Sequence, residues 1–297
     1  FEPQNQSSLN FSRMRTFGMI FGVNLNPSME KDSSDSVIKS ELFQAIESVG
    51  AYVERADCLV IITPGTVHND LIDPRTGRKK HLCYRTFRRR AFCVLEMFSA
   101  MCSRRKTHPI LLIQSQNDGP KWLSPLESHK LAVGESEFSC CERNHANNMK
   151  CSRNAVKSIM IRLVDKRVKY FYENKETMVL GRLLFGQKRW FLRGMKNVTT
   201  YTFDTTTTTN LKRALMWDDE VDGDWFDRGG ISLLFYAIAM DLKGIIRLLL
   251  DSAAGNKKRL LSAVPKSGFP QVGITSKMNS LCVAMFMGSS DTLEMLL

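Results

Sequence analysis

Glu96 is an acid in an otherwise greasy setting. On a helical wheel of the run Ala91 to Ser103, Val94, Leu95, Met97, Phe98 and Met101 ring most of the helix and leave Glu96 between Phe92, Cys93, Ser99 and Ala100. A carboxylate there is costly unless it is paired or faces a cleft, and no Lys, Arg or His stands three or four residues away on either side. Its partner must come from elsewhere in the fold, or be a ligand. A second feature precedes it: the stretch Arg75 to Arg90 (RTGRKKHLCYRTFRRR) holds eight Lys or Arg and no acid, two-thirds of the net charge of 42 − 30 = +12. Mutual repulsion implies a solvated or protein-facing loop, or a counter-charge such as nucleotide phosphate. Tyr84, Phe87 and Phe92 interleave with the arginines as base-stacking residues would, but no nucleic-acid fold signature accompanies them, and nucleic acid is not expected as a partner. A third feature is Cys140, Cys141, His145 and Cys151, spaced C-C-x3-H-x5-C, four soft donors that zinc could use. The plainer alternative is a loop with one cysteine packed inward. His68, His81, His108 and His129 show no Ser or Cys companion at a triad-like spacing, and no Gly-rich phosphate loop is present.

These residues need a frame. Gly18 to Val23 (GMIFGV) and Cys58 to Thr63 (CLVIIT) are short apolar runs closed by turn residues, and Ile110 to Gln114 (ILLIQ) is a third, so all three predict buried strands. Between them, Ser40 to Ala56 places Leu42, Ala45, Ile46, Val49, Tyr52 and Val53 at helical spacing, and Ala91 to Ser103 is a second helix. Uniformly apolar strands alternating with helices predict a parallel sheet covered on both faces. Further helices are expected near Ala155 to Tyr172 and Glu176 to Leu192. The eight threonines in Thr199 to Asn210 read as a linker, with an edge strand as the alternative.

Composition bounds the class. With 43% apolar and 24% charged residues, the chain can bury one or two ordinary cores, which excludes a disordered tail or a collagen-like chain. Its longest apolar stretch, Ile231 to Met240, is half of the roughly 20 residues a membrane helix needs, so no membrane span is expected. Eight dispersed cysteines, several inside apolar runs, read as thiols of a reducing, cytoplasmic compartment. A start at Phe1 and an end inside an apolar run at Leu297 read as a piece of a longer chain.

The last 70 or so residues repeat. Ser232 to Ala237 followed by Ile245-Ile246 and Leu249-Leu250 matches Asn279 to Ala284 followed by Thr292-Leu293 and Leu296-Leu297, the alanines lying 284 − 237 = 47 residues apart. Small Ala237 and Ala284 suit a close helix crossing, Leu234 and Leu281 fill the inner seam, and the leucine pairs close the second helix. This pattern resembles the ankyrin repeat: Gly288 falls on the family's inter-helix glycine, and Asp241 replaces it in the first copy. The wider spacing implies an insertion within Ala254 to Lys277. The resemblance implies a concave, loop-lined surface for other proteins.

The order AIESVGAYVERADCLVIITP, basic loop, RRRAFCVLEMFSA and HPILLIQ resembles a TIR domain, with Phe92-Cys93-Val94-Leu95-Glu96 at its Trp-Cys-x-x-Glu motif and Phe in place of Trp. The combination is similar to protist multidomain proteins that join such a domain to ankyrin repeats. The resemblance implies a flavodoxin-like α/β domain over 1–198, lacking its first strand and carrying a helical C-terminal extension. A Thr-rich linker over 199–210 and divergent ankyrin repeats over 211–297 would follow, the repeats continuing past the last residue. It implies an intracellular signalling or scaffold protein. The alternative it implies is an NAD-hydrolysing enzyme, with NAD as substrate, Glu96 as catalytic residue and Arg88, Arg89 and Arg90 at the phosphates.

Overall fold

The computed structural model describes residues 44, 48–72, 76–103, 107–115, 117–142, 151–196, 200–218, 224–287 and 290–297. The strand expected at Gly18 to Val23 lies outside the described residues, as does most of the Ser40 to Ala56 helix before residue 48. Residues 48–55 are helical, and Val53 on that helix is buried.

Strand β1 (Leu59–Ile62) leads into an antiparallel hairpin of β2 (Thr66–Ile72) and β3 (Lys79–Leu82). The one-turn helix α1 (Tyr84–Phe87) and the eleven-residue α2 (Ala91–Met101) follow, and β4 (Ile110–Ile113) then returns beside β1. The β1–β4 pairing is parallel, Leu59 opposite Ile110 and Ile62 opposite Ile113, and α2 supplies the crossover that parallel strands need. Strand β5 (Lys121–Leu123) pairs antiparallel on the other edge of β4, giving the order β1-β4-β5. Among the described residues this sheet is therefore mixed rather than the all-parallel sheet expected. The cause is the link from Gln114 to Pro120, polar and ending in Gly-Pro, which is shorter than the dozen or so residues a parallel return requires.

The basic stretch also departs from expectation. From residue 76 onward it is structured, as β3 and α1, with Arg78, Lys79, Arg85 and Arg89 at exposed positions where repulsion is screened by water. At the start of α1 the Cys83 N–H donates to Thr86 Oγ1 at 2.9 Å while the Cys83 sulfur accepts from the Thr86 N–H, a reciprocal cap that fixes the turn.

Helix α2 is the hinge of the packing, because every residue on it except Phe92 is buried. Met97 and Ala100 gather with Leu59, Ile61, Ile110 and Leu112 of the sheet and with Val53. Val94, Leu95, Phe98 and Met101 join a second, larger core made of helices. Past α3 (Pro125–His129) that core takes in Val133, Phe138 and, on α4 (Ser139–Glu142), Cys140, then α5 (Ser152–Tyr172), α6 (Met178–Gly186) and α7 (Lys188–Phe191). It continues through α8 (Thr208–Ala214) into the repeat region.

The Thr-rich run is fastened to this core from residue 200 onward. The Tyr201 hydroxyl donates to the Gly186 carbonyl at 3.0 Å, Tyr201 and Phe203 lie against Phe185, Thr207 caps α8 through the Asn210 N–H, and Leu211 and Leu215 are fully buried. A buried ionic knot completes the junction. Arg182 on α6 donates to the Leu215 and Met216 carbonyls at 2.8 and 2.7 Å and lies 3.7 Å from Asp227, whose other partners are the Tyr236 hydroxyl (2.7 Å) and the Ile231 N–H (2.9 Å).

In the repeat region α9 (Leu233–Ala239) and α10 (Lys243–Ser252) form one helical pair, and α12 (Ser280–Met287) and α13 (Ser290–Leu296) form another, with α11 (Lys257–Ser262) between them. Helix α9 packs on α12, each beside its own second helix. The segment Ala254 to Lys277, expected as an insertion, folds as α11 and a turn closed by pairing of Phe269 with Ile274. Leu234, Ala237, Leu249, Ala284 and Leu296 are buried, Leu250 and Leu281 are half-buried against the core, and Leu297 is exposed.

Candidate functional site

Four groups of side chains bear on chemistry. Glu96 comes first. It is 8% exposed, and burial pushes its carboxyl up to about 8, with the Arg90 charge pulling weakly the other way. Arg90 is the N-cap residue of α2, where its backbone N–H and the Ala91 N–H hold the segment to Phe87 and Glu137. At neutral pH Glu96 is therefore a mostly neutral acid inside the seam between sheet and helices.

The basic stretch builds the second group. A cleft of about 470 Å³ is lined by Cys83, Tyr84, Arg85, Arg88, Arg89, Gln114 and Leu131. Two of the three arginines singled out in the sequence, Arg88 and Arg89, line it, whereas Arg90 and Glu96 do not. Arg88 is partly engaged, 3.4 Å from Glu127 and over the Tyr84 ring. The structure thus does not bring Glu96 and the arginines onto one cleft.

Cys83 is the residue the sequence reading missed. Its thiol is held down to about 7, first by the Thr86 N–H and then by the His81 ring, against the opposing effect of burial. The pair His81-x-Cys83 in a basic run was the available signal. What the pattern lacked was the turn that aims two N–H groups at the sulfur. Arg85, Arg88 and Arg89 give this cleft a cationic lining beside the thiol.

The third group is Cys140, Cys141 and Cys151, whose sulfurs all lie within 4.8 Å of one another. His145, placed with them by spacing, lies outside the described residues.

The fourth lies at the tip of the helical pairs, where Arg189, Trp190, Arg193, Asp241, Lys243 and Asp291 line a cleft of about 290 Å³. Arg193 stacks on Trp190 and donates to the Lys130 carbonyl, while Lys243 pairs with Asp291. Asp241 has φ +55°, the left-handed region, at the position where the repeat pattern called for glycine. Its carboxylate accepts from Thr292 Oγ1 at 2.6 Å and pairs with Arg189, so the turn of the first pair is tied to the second pair and to α7. The matching Gly288 lies outside the described residues.

Compared with protein-family models, curated proteins and solved structures, the chain matches none. Function must be argued from these four groups and the frame that carries them.

Proposed function

We propose that the chain is a protein-interaction scaffold of the signalling type, in which a TIR-like α/β layer is joined to divergent ankyrin-like helical pairs. The observation that carries this reading is the packing of α9 on α12, the helices that hold the two copies of the sequence repeat, with small Ala237 and Ala284 both buried. Helix α9 is buried throughout and α6 lies against it, Gly186 facing Ala239, Met240 and Tyr236. The surface available to a partner is accordingly the far side of the pairs, not a groove along α9. Leu248, Met285 and Leu297 are exposed on the pairs, 47%, 69% and 88%, and Leu297 lines a cleft of about 530 Å³ together with Leu281, Leu296, Lys257 and Lys258. Exposed apolar side chains rimmed by lysines suit a partner with an apolar ridge and acidic flanks.

A cytoplasmic setting is part of the proposal. It is supported by the buried, unpaired thiols of Cys58, Cys93 and Cys102 and by the lack, among the described residues, of a helix long and apolar enough to cross a membrane. NAD hydrolysis is the less favoured reading, because Glu96 is closed in and neutral and lines none of the clefts described.

The scaffold reading is tested by cross-linking the intact chain in cells that express it. Partner cross-links should fall on Lys257 and Lys258, and the double variant Met285→Glu, Leu297→Glu should lose them while keeping the parent melting temperature. Cross-links confined to the α/β layer, or unchanged in the double variant, would contradict it.

A further inference from the structure

Cys140 and Cys141 sit on α4, and Cys151 is the N-cap residue of the 21-residue α5. Their meeting is arranged by the neighbours. Phe138 is buried beneath the Arg153 guanidinium, whose carbon is 4.3 Å from the ring centroid, and Arg153 Nη1 donates to the Gly134 carbonyl at 2.6 Å, so the first turn of α5 is pinned against the segment that leads into α4. The Cys141 N–H donates to the Phe138 carbonyl at 2.9 Å and turns both thiols toward Cys151.

The resulting distances are those of a metal centre. Cys140 Sγ lies 3.9 Å from Cys141 Sγ, and Cys141 Sγ lies 3.7 Å from Cys151 Sγ. Zinc binds thiolate at about 2.3 Å, and a tetrahedron with that radius has edges of about 3.8 Å. Cys140 Sγ is 3.1 Å from Ser152 Oγ and accepts from the Ser152 N–H, at the positive end of a long helix, and Arg153 hydrogen-bonds Cys141. Cys140 is buried while Cys141 and Cys151 are partly exposed, which gives an ion a route in.

We infer that Cys140, Cys141 and Cys151 form a three-thiolate site for a soft divalent metal ion, zinc, which would clamp α4 to the head of α5. The three donors found among the described residues supply three corners of a tetrahedron. The proposal is independent of the scaffold reading.

The test uses the full chain, reduced anaerobically and stripped of metal, titrated with Co²⁺ alone. One equivalent should bring up a sulfur-to-cobalt charge-transfer band with the visible spectrum of a tetrahedral ion. Zn²⁺ should displace it and protect three cysteines from alkylation. Cys151→Ser and Cys141→Ser, both at partly exposed positions that spare the buried Cys140, should lose the charge-transfer band with unchanged far-ultraviolet circular dichroism. Cys282→Ser, at an exposed thiol elsewhere, should keep it. A reduced protein that gives no charge-transfer band, a band that survives in both variants, or a Cys141–Cys151 disulfide that forms without metal uptake would overturn the site.

Discussion

At the scale of the residue, the sequence pattern located the buried acid and physics says how it behaves. Burial raises the Glu96 carboxyl to about 8, above its value in the unfolded chain. The folded state therefore binds the proton more tightly than the unfolded state does. Its contribution is fully present below about pH 4.5 and is lost as pH rises toward 8, at up to about 1.4 kcal/mol per pH unit. Glu96→Gln keeps the shape and removes the titration. Denaturant titrations should accordingly find the variant more stable than the parent at pH 8 by a few kcal/mol, and close to it at pH 5. Equal pH slopes for the two proteins would contradict this. Burial of Glu96 was legible because apolar neighbours at helical spacing are visible in the sequence. The activation of Cys83 was not, since it depends on a backbone turn and on a histidine one pleat away.

At the scale of the element, long periodic segments were legible and short polar ones were not. Helices α2 and α5, strands β1 and β4 and the paired helices all announce themselves through apolar spacing. Strands β3 (KKHL) and β5 (KWL) are short edge strands that carry no alternation, with Lys79, His81, Lys121 and Trp122 exposed, so neither was visible as a strand. Asp241 shows how a repeat can mark a turn position while the ties of that turn remain hidden. The repeat placed Asp241 where its second copy has Gly288, and φ +55° is found there, but the bonds to Thr292 and Arg189 depend on the third dimension. Both Asp241→Ala and Asp241→Gly forfeit those bonds, and only alanine adds the penalty of a Cβ at positive φ. Urea unfolding should find the alanine variant less stable than the glycine variant by roughly 0.5–1 kcal/mol, after allowing for the greater freedom of glycine in the unfolded chain. An alanine variant equal to or better than glycine would mean that this turn relaxes out of the left-handed region.

At the scale of the whole molecule, the larger core runs without a break from α2 to α13, through the Thr-rich run where composition suggested a boundary. Composition could not reveal this, because Tyr201, Phe203, Leu211 and Leu215 are few among threonines and act only by where they dock. The ionic knot of Arg182, Asp227 and Tyr236 and the pair of His129 with Gln187, 2.8 Å apart, further join the layers. One core thus connects the helical pairs to α2, which also packs on the sheet. It also closes over Glu96, and here the two functional readings part most sharply. The direct measurement is nicotinamide released from NAD by the intact purified chain and by Glu96→Gln. The account predicts no release above the no-protein control from either. Multiple turnovers by the parent chain that vanish in the variant would contradict it.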